Sequence, residues 1–351
     1  MRLKVQSDNV QCTKEKMKGI KFSIVIPVYN RPDEVAELLE SLTKQTDKGF
    51  EVLVIEDGSS VPCKEVCDQY ADKLDLHYYF KPNSGRSETR NYGMERASGD
   101  WFIIYDSDVI VPPQYIATVR AELAKNPVDC YGGPDAADDS FSDVQKAINY
   151  SMTSIMTTGG IRGATKNKEK FSPRSFNMGI SRKCFETVGG YKNMIGEDID
   201  MSIRIKDAGF KTTLIPEAYV YHKRRVDLMK FFRQVNTFGK GRVLLGELHP
   251  GSLKLVHLMP AAFVIGNIGL LAISCLLLAV GYWKWSLLFL APIMLFVLGI
   301  FCESLIKNKS VKIALLSIVA AYMQLFGYGT GFLGECITHK ARKKKQEELY
   351  K

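Results

Sequence analysis

The sequence predicts an α/β domain, built on a central, mostly parallel sheet with flanking helices, followed by an α-helical membrane region. Three observations carry that expectation. Short β-rich runs alternate four times with helix-period segments between residues 22 and 126. Polar, charged and glycine-rich residues gather just after each of those four runs. Near residue 255 the composition turns apolar, and three long stretches follow at 255–280, 285–302 and 313–337.

The first strand is FSIVIPV, from residue 22. PDEVAELLESLTKQ follows, with Val35, Leu38, Leu39 and Leu42 on one helical face. Its Pro32 falls in the first turn, where the missing N–H costs no bond. EVLVIED is the second strand and VPCKEVCDQYADKL the second helix. LHYYF, a helix over 87–97, WFIIYD and the helix PPQYIATVRAELAKN complete four βα units. Such alternation implies parallel strands covered on both faces. The middle is less regular: loops across 131–175 surround one helix near 142–157, and FNMGISRKCFETVGGY reads as strand, turn and helix. GEDIDMSIRIKDAGF supplies another helix, with Ile199, Ile203 and Ile205 mostly inward and Glu197 and Asp198 at its start.

The 351 residues are 46% apolar and 24% charged, but those averages hide the apolar C-terminal third. A bilayer span takes about 20 mainly apolar residues. The first and third stretches meet that length and the second is at its short end. Gly327 and Gly331 form a GxxxG pair, which suits close packing of membrane helices. The first 21 residues contain no apolar core, so no secretory signal is expected and the globular part is expected on the cytoplasmic side. The net charge of +9 concentrates in HKRR at 222–225 and HKARKKK at 339–345. Beside apolar spans, such clusters point to a cytoplasmic face and anionic lipid headgroups, and no nucleic-acid partner is expected. Segment 227–247 has apolar and basic residues at helical spacing and is expected on the membrane surface. The eight cysteines show no zinc spacing and are expected to be reduced. The expected division is a lead-in at 1–21, a domain at 22–225, an interfacial segment at 226–254, the membrane region at 255–337 and a basic tail at 338–351. Three full crossings would put the domain and the basic tail on opposite sides, so the glycine-rich third stretch is the expected incomplete span.

The four strand ends carry Tyr29-Asn30-Arg31, EDGSS at 56–60, KPNSGR at 81–86 and DSD at 106–108. In open α/β sheets that edge binds ligands. Asp106 and Asp108 stand one residue apart at the tip of an apolar strand, where like charges raise each other's pKa. A compensating cation or plain exposure explains them. Glu197 and Asp198 open a helix, where the dipole stabilises carboxylates; a catalytic base is the other reading. There is no GxxxxGK[ST] and no HExxH. Gly329, Gly331 and Gly334 match GxGxxG, but inside an apolar segment with no preceding strand, so they do not mark a dinucleotide site.

Six pieces together resemble the family 2 glycosyltransferases of the GT-A fold: IVIPVYNR at 24–31, IEDGSS at 55–60, NSGRSETRNYG at 83–93, YDSD at 105–108, NMGISRKCFETVGGY at 177–191 and GEDIDMSIRIKDAGF at 196–210. They stand in the family's order and cover roughly 22–225. The resemblance implies metal-dependent, inverting transfer from a nucleotide-sugar, with UDP the favoured nucleotide. It makes DSD a DxD motif, with Asp108 on Mg²⁺ or Mn²⁺, Asp106 toward the ribose and metal, Ser107 beside them, and His222 as third ligand or diphosphate contact. Asp57 would accept from the base, Pro27, Tyr29 and Asn30 would line its pocket, and Gly85, Arg86 and Arg90 would approach the ribose or diphosphate. Asn177 would touch sugar or acceptor, Asp198 would be the general base, and Glu197 would orient the acceptor or share that role. Glu56 departs from the family's commoner Asp. The QxxRW of processive synthases is missing, since Gln234 is followed by Val, Asn, Thr and Phe. The expected reaction is therefore non-processive, on a membrane-held, lipid-linked glycan of cell-surface polysaccharide synthesis at a bacterial plasma membrane. The alternatives are a processive synthase and a membrane-anchored nucleotide-sugar-binding protein without turnover. A sugar nucleotidyltransferase would need a GxGxR start where VYNRPDE stands.

Overall fold

The computed structural model describes residues 19–136, 141–158, 172–222 and 227–349. Most of the lead-in, part of the expected loops at 131–175 and the run at 223–225 lie outside the described residues, as do the side chains of His222 and of residues 340–351. In chain order the elements are β1 (Phe22–Val28), α1 (Pro32–Thr43), β2 (Phe50–Asp57), α2 (Lys64–Asp68), β3 (Leu76–Lys81), α3 (Arg86–Arg96), β4 (Trp101–Tyr105), β5 (Val109–Ile110) and α4 (Tyr115–Lys125). There follow β6 (Cys130–Gly132), β7 (Asp135–Ala136), α5 (Asp143–Thr153), α6 (Ile155–Thr158), β8 (Asn177–Ser181), α7 (Arg182–Val188), α8 (Glu197–Asp207), β9 (Thr212–Leu214) and β10 (Val220–His222). The last are α9 (Leu228–Leu248), a single 3₁₀ turn (Leu255–His257), α10 (Met259–Ala279), α11 (Trp283–Asn308) and α12 (Val311–Leu349).

The chain divides into two compact units, Met1–Asp138 with Thr165–Lys223, and Asp139–Ala164 with Arg224–Lys351. In the first unit, seven strands run in the order β3-β2-β1-β4-β8-β6-β9. Four of the pairings are parallel, and only the two made by β8 are antiparallel. The mixed, mostly parallel sheet is thus one set of co-directional strands with a single reversed member. Apolar side chains of β1, β2 and β4 are buried on both faces, as a sheet covered twice requires. Val35, Leu38, Leu39 and Leu42 of α1 are fully buried in one of the two cores. A second small sheet pairs β5 with β10 and β10 with β7.

Two helices depart from expectation. α2 is five residues long, and the rest of the expected second helix closes in single turns, with Lys73 and Leu74 both donating to the Tyr70 carbonyl. In α8 the inward positions are Glu197, Asp200, Met201, Ser202 and Ile205, and Ile199 and Ile203 are only half-buried. The hydrophobic side chains alone pointed elsewhere because Asp200 is buried with its own counter-ions, Arg204 at 2.7 Å and Lys192 at 3.4 Å. The seven described cysteines are free, and Cys63 and Cys67 are buried with sulfurs 4.0 Å apart.

Among the described residues of the second unit, three helices are long and apolar enough to cross a membrane: Met259–Ala279, Trp283–Asn308 and Val311–His339. α9 packs along α12 and buries Phe231, Val235, Gly239 and Leu245. Glycines permit the approach. A Cβ at Gly331 would stand 2.1 Å from the Asn236 carbonyl oxygen, and one at Gly327 would stand 2.5 Å from Val235 Cγ1's geminal methyl, Cγ2. The GxxxG pair thus packs against α9.

Candidate active site

The site forms at one edge of the large sheet. Parallel pairing carries the ends of β1, β2, β3 and β4 to that edge, with Val28 beside Glu56 and Asp57 beside Lys81. β8 runs the other way, so its first residue, Asn177, pairs with the last of β4, Tyr105. A strand that begins here therefore adds to a rim otherwise made of strand ends.

At the β1–β2 end, Asn30 has a φ of 54°, a left-handed conformation that Asn tolerates better than most residues. Its backbone N–H donates to Ser59 Oγ at 2.7 Å, and its side-chain oxygen accepts from Val61 N at 3.0 Å and Ser60 Oγ at 3.1 Å. Asn30 therefore latches two loops together. Pro27 is half-buried and Tyr29 is 53% exposed. Glu56, the departure from the family pattern, is buried and structural. It accepts from Cys63 N at 2.7 Å and from the Ser59 hydroxyl.

Asp57 accepts from Lys81 Nζ, from Ser84 N at 2.9 Å and from Gly85 N at 3.0 Å. Burial pushes its carboxyl up, but the Lys81 hydrogen bond and the Ser84 N–H outweigh it and leave the pKa below the usual range. Gly85, at φ 87°, caps α3, and Thr89 donates back to its carbonyl from both N and Oγ1.

The third group centres on Arg90, which is 2% exposed. Its Nη2 donates to Asp106 Oδ1 at 2.8 Å and its Nη1 to Glu197 Oε1 at 2.9 Å, while the guanidinium lies over the Tyr191 ring at 5.3 Å. Burial would lower its pKa, yet Asp106, Tyr191 and Glu197 hold it above the ordinary arginine value. Arg86, largely exposed, donates to the other Glu197 oxygen at 2.8 Å. One turn of α8 thus meets one face of α3 through a carboxylate bridged by two arginines. Asp198 accepts from Arg174 Nη1 at 3.1 Å and from Ile199 N at 2.9 Å. Burial raises its pKa, but the Arg174 charge and hydrogen bond, with Arg90 behind them, bring it below the usual range. Ser107 is buried between Asp106 and Asp108, and Asp108 Oδ2 lies 3.6 Å from Arg31 Nη1.

The expected residues Asp57, Gly85, Arg86, Arg90, Asp106, Ser107, Asp108, Glu197 and Asp198 therefore stand along one rim. Asn177 stands at the rim but is fully buried: Tyr115 Oη donates to its Oδ1 at 2.5 Å, and its Nδ2 donates to the Ala218 carbonyl at 2.9 Å. In this structure it fixes the start of β8. His222 is antiparallel to Val109, the residue after Asp108, so the backbone returns it to DSD. Sequence reasoning missed Lys81, Arg174 and Tyr115. A signal existed for Lys81: it and Asp57 are the last residues of adjacent parallel strands.

An α/β rim with paired carboxylates is the class of site this fold defines. Residues 23–189 match the glycosyl transferase family 2 model. "Glycosyltransferase AglE" of Haloferax volcanii is 26% identical over 264 residues, covering 70% of this chain and 80% of its own. An "uncharacterized glycosyltransferase" of Rickettsia bellii is 36% identical over 95 residues, covering 27% of this chain and 14% of its own. Most of that relative's length thus has no counterpart here. A solved structure, "Mannosyltransferase PcManGT from Pyrobaculum calidifontis in complex with GDP-Man and Mn2+", aligns over 88% of this chain and 87% of its own, at TM-score 0.62 and 15% identity. That likeness is one of fold. Residues 23–189 are thus similar to the family 2 glycosyltransferases, and the sheet is GT-A-like.

Proposed function

We propose that this protein transfers a sugar from a nucleotide-sugar to a membrane-held acceptor, with inversion at the anomeric carbon. The observation that supports it most is the pair of carboxylate groups, DSD and Glu197-Asp198, joined through Arg90 at one rim. A scaffold that only bound a ligand would not need a second carboxylate pair facing the first. Asp198 takes the proton from the acceptor hydroxyl as its oxygen attacks the anomeric carbon. The bond from that carbon to the diphosphate breaks, and its electron pair leaves with the diphosphate. A base here needs reach and a pKa below the working pH, and Asp198 is held in its charged form. Glu197 orients the acceptor. Asp57 reads the base beside Pro27, Tyr29 and Asn30, and Arg86 faces the diphosphate.

The donor set fits a hard divalent cation: two carboxylates on one turn, with His222 paired next to them. Asp106, Asp108 and His222 would hold Mg²⁺ or Mn²⁺, which when bound neutralises charge on the departing diphosphate. The apolar helices support a lipid-linked acceptor at a bacterial plasma membrane, with the catalytic unit cytoplasmic, and the absent QxxRW supports transfer of one or a few sugars.

The test is nucleoside diphosphate release by detergent-purified protein, with a panel of sugar nucleotides, Mg²⁺ or Mn²⁺, and membrane lipid extract. Release from one donor is expected, falling about 100-fold or more in Asp198→Ala, the loss of a general base, and also in Asp108→Ala. Binding without release in every condition would sink the enzyme reading. A long polymer product would sink the non-processive one.

A further inference from the structure

The second unit carries a topology that hydropathy alone does not give. α10 and α11 form a hairpin. Tyr282, Trp283 and Trp285 at its turn are 60%, 56% and 59% exposed, as aromatic residues are at a membrane interface. At the opposite end, Glu303 accepts from Tyr150 Oη at 2.8 Å and Ser154 Oγ at 2.7 Å, and pairs with Lys307 at 2.7 Å. From Trp283 to Glu303 a helix rises about 30 Å, the thickness of the hydrocarbon layer. Polar anchors therefore stand one bilayer apart on a single helix. Between them the hairpin is bare, with Ile268 58% and Met294 63% exposed.

α12 behaves differently. Its ties to the hairpin come from the polar-anchored end: Ser317 with Ser304 at 2.7 Å, Tyr322 with Phe263 and Phe296 at 5.7 and 5.8 Å between ring centres, and Phe326 with Phe263 at 6.0 Å. Its other flank is covered by helices with charged outer faces. Lys312 pairs with Asp143 of α5 at 2.8 Å, Asn236 of α9 donates to the Gly327 carbonyl at 3.1 Å, and His339 meets Glu247 of α9 at 2.5 Å. Those contacts follow α12 from its first turn to residue 339. If α12 crossed the bilayer, α9 would be carried in with it, and Lys230, Arg233 and Lys240 on the outer face of α9 are exposed. Charges in the hydrocarbon layer are strongly disfavoured.

We propose that only α10 and α11 cross the membrane, and that α12 lies in the boundary between headgroups and acyl chains. The lipid surface takes the apolar stripe Val311, Leu315, Val319 and Ile337, which is exposed and recurs at helical spacing. α5 and α9 cover the aqueous flank, and the exposed lysines and arginine of α9 suit anionic headgroups. The chain that enters α10 and the basic run after residue 339 then lie on the same side. This removes the conflict that three crossings create, and it holds whatever reaction the other unit catalyses.

The test uses the full chain with protease-cleavable tags at the N-terminus, at the C-terminus and in the turn at 282–285, in sealed inverted and right-side-out vesicles. The two terminal tags are expected to be cut from one face and the turn tag from the other. Terminal tags cut from opposite faces would overturn the proposal, and so would all three cut from one face. Should the turn insertion fail to fold, spin labels on single cysteines in an otherwise cysteine-free chain replace it. Labels at Leu315, Val319 and Ile337 are expected at one shallow depth, and labels at Ile268 and Met294 deep. A depth in α12 that rises to the bilayer centre and falls again would overturn it.

Discussion

Asp198 is held charged by a neighbour that the sequence did not advertise. Burial alone would raise its pKa, and the Arg174 charge and hydrogen bond reverse that. With Asp198 as the proposed base, a depressed pKa keeps the base form present as pH falls, so the acid limb of kcat/KM is expected below the usual aspartate range. Arg174→Ala removes the main lowering influence and leaves burial opposed only by Arg90 and the Ile199 N–H, so that limb moves to higher pH, and Arg174→Lys restores part of the shift. A pH–rate profile of the three proteins checks this, and an unmoved limb would show that Arg174 does not act on the base. The carboxylates of the site were legible because a strand or helix end with adjacent acids stands out in any sequence. Arg174 was not, because a lone arginine in an irregular loop has no spacing to betray it. Asn177 was expected at the site by family pattern, but its side chain sits in the interior, bonded to Tyr115 and Ala218.

The α9–α12 contact is set by small residues at the scale of the element. Gly331→Ala places a methyl 2.1 Å from the Asn236 carbonyl oxygen, a backbone atom that can yield only if the helices part. The expected cost is about 1–3 kcal/mol, the usual range for overpacking, read as a lower unfolding midpoint in detergent. Gly334→Ala meets nothing within 4 Å and should leave the midpoint near that of the parent. Equal midpoints for both would argue against the packing. The glycine spacing was legible; its partner was not, since GxxxG states that something approaches closely without saying what. The same limit shows in α8, where a buried Asp200 takes a place that hydrophobic periodicity would give to an isoleucine. β8 is a third case: NMGIS reads the same as a strand in either direction, and only its pairing with Tyr105 and its neighbours reveals the reversal.

For the molecule as a whole, the bare faces of α10 and α11 demand an apolar surrounding. Alkaline carbonate or high-salt washing of membranes should leave the full chain in the pellet, and mild detergent should release it. Recovery in the carbonate supernatant would show a peripheral protein instead. The two-part organisation was legible because composition changes abruptly near residue 255. The third stretch was already the expected incomplete span, from the charge on the tail; the charged helices packed against it were not legible, because hydropathy scores a helix one at a time.

Arg90 spends one nitrogen on Asp106 and another on Glu197. If Asp106 faces the donor and Glu197 the acceptor, as proposed, a single buried cation is common property of both sides. Any donor that draws Asp106 away changes the field in which Glu197 meets an acceptor. By thermodynamic reciprocity, the factor by which the donor alters acceptor affinity is the factor by which the acceptor alters donor affinity. Under the proposed roles the two substrates then cannot bind as strangers, because one guanidinium couples their affinities.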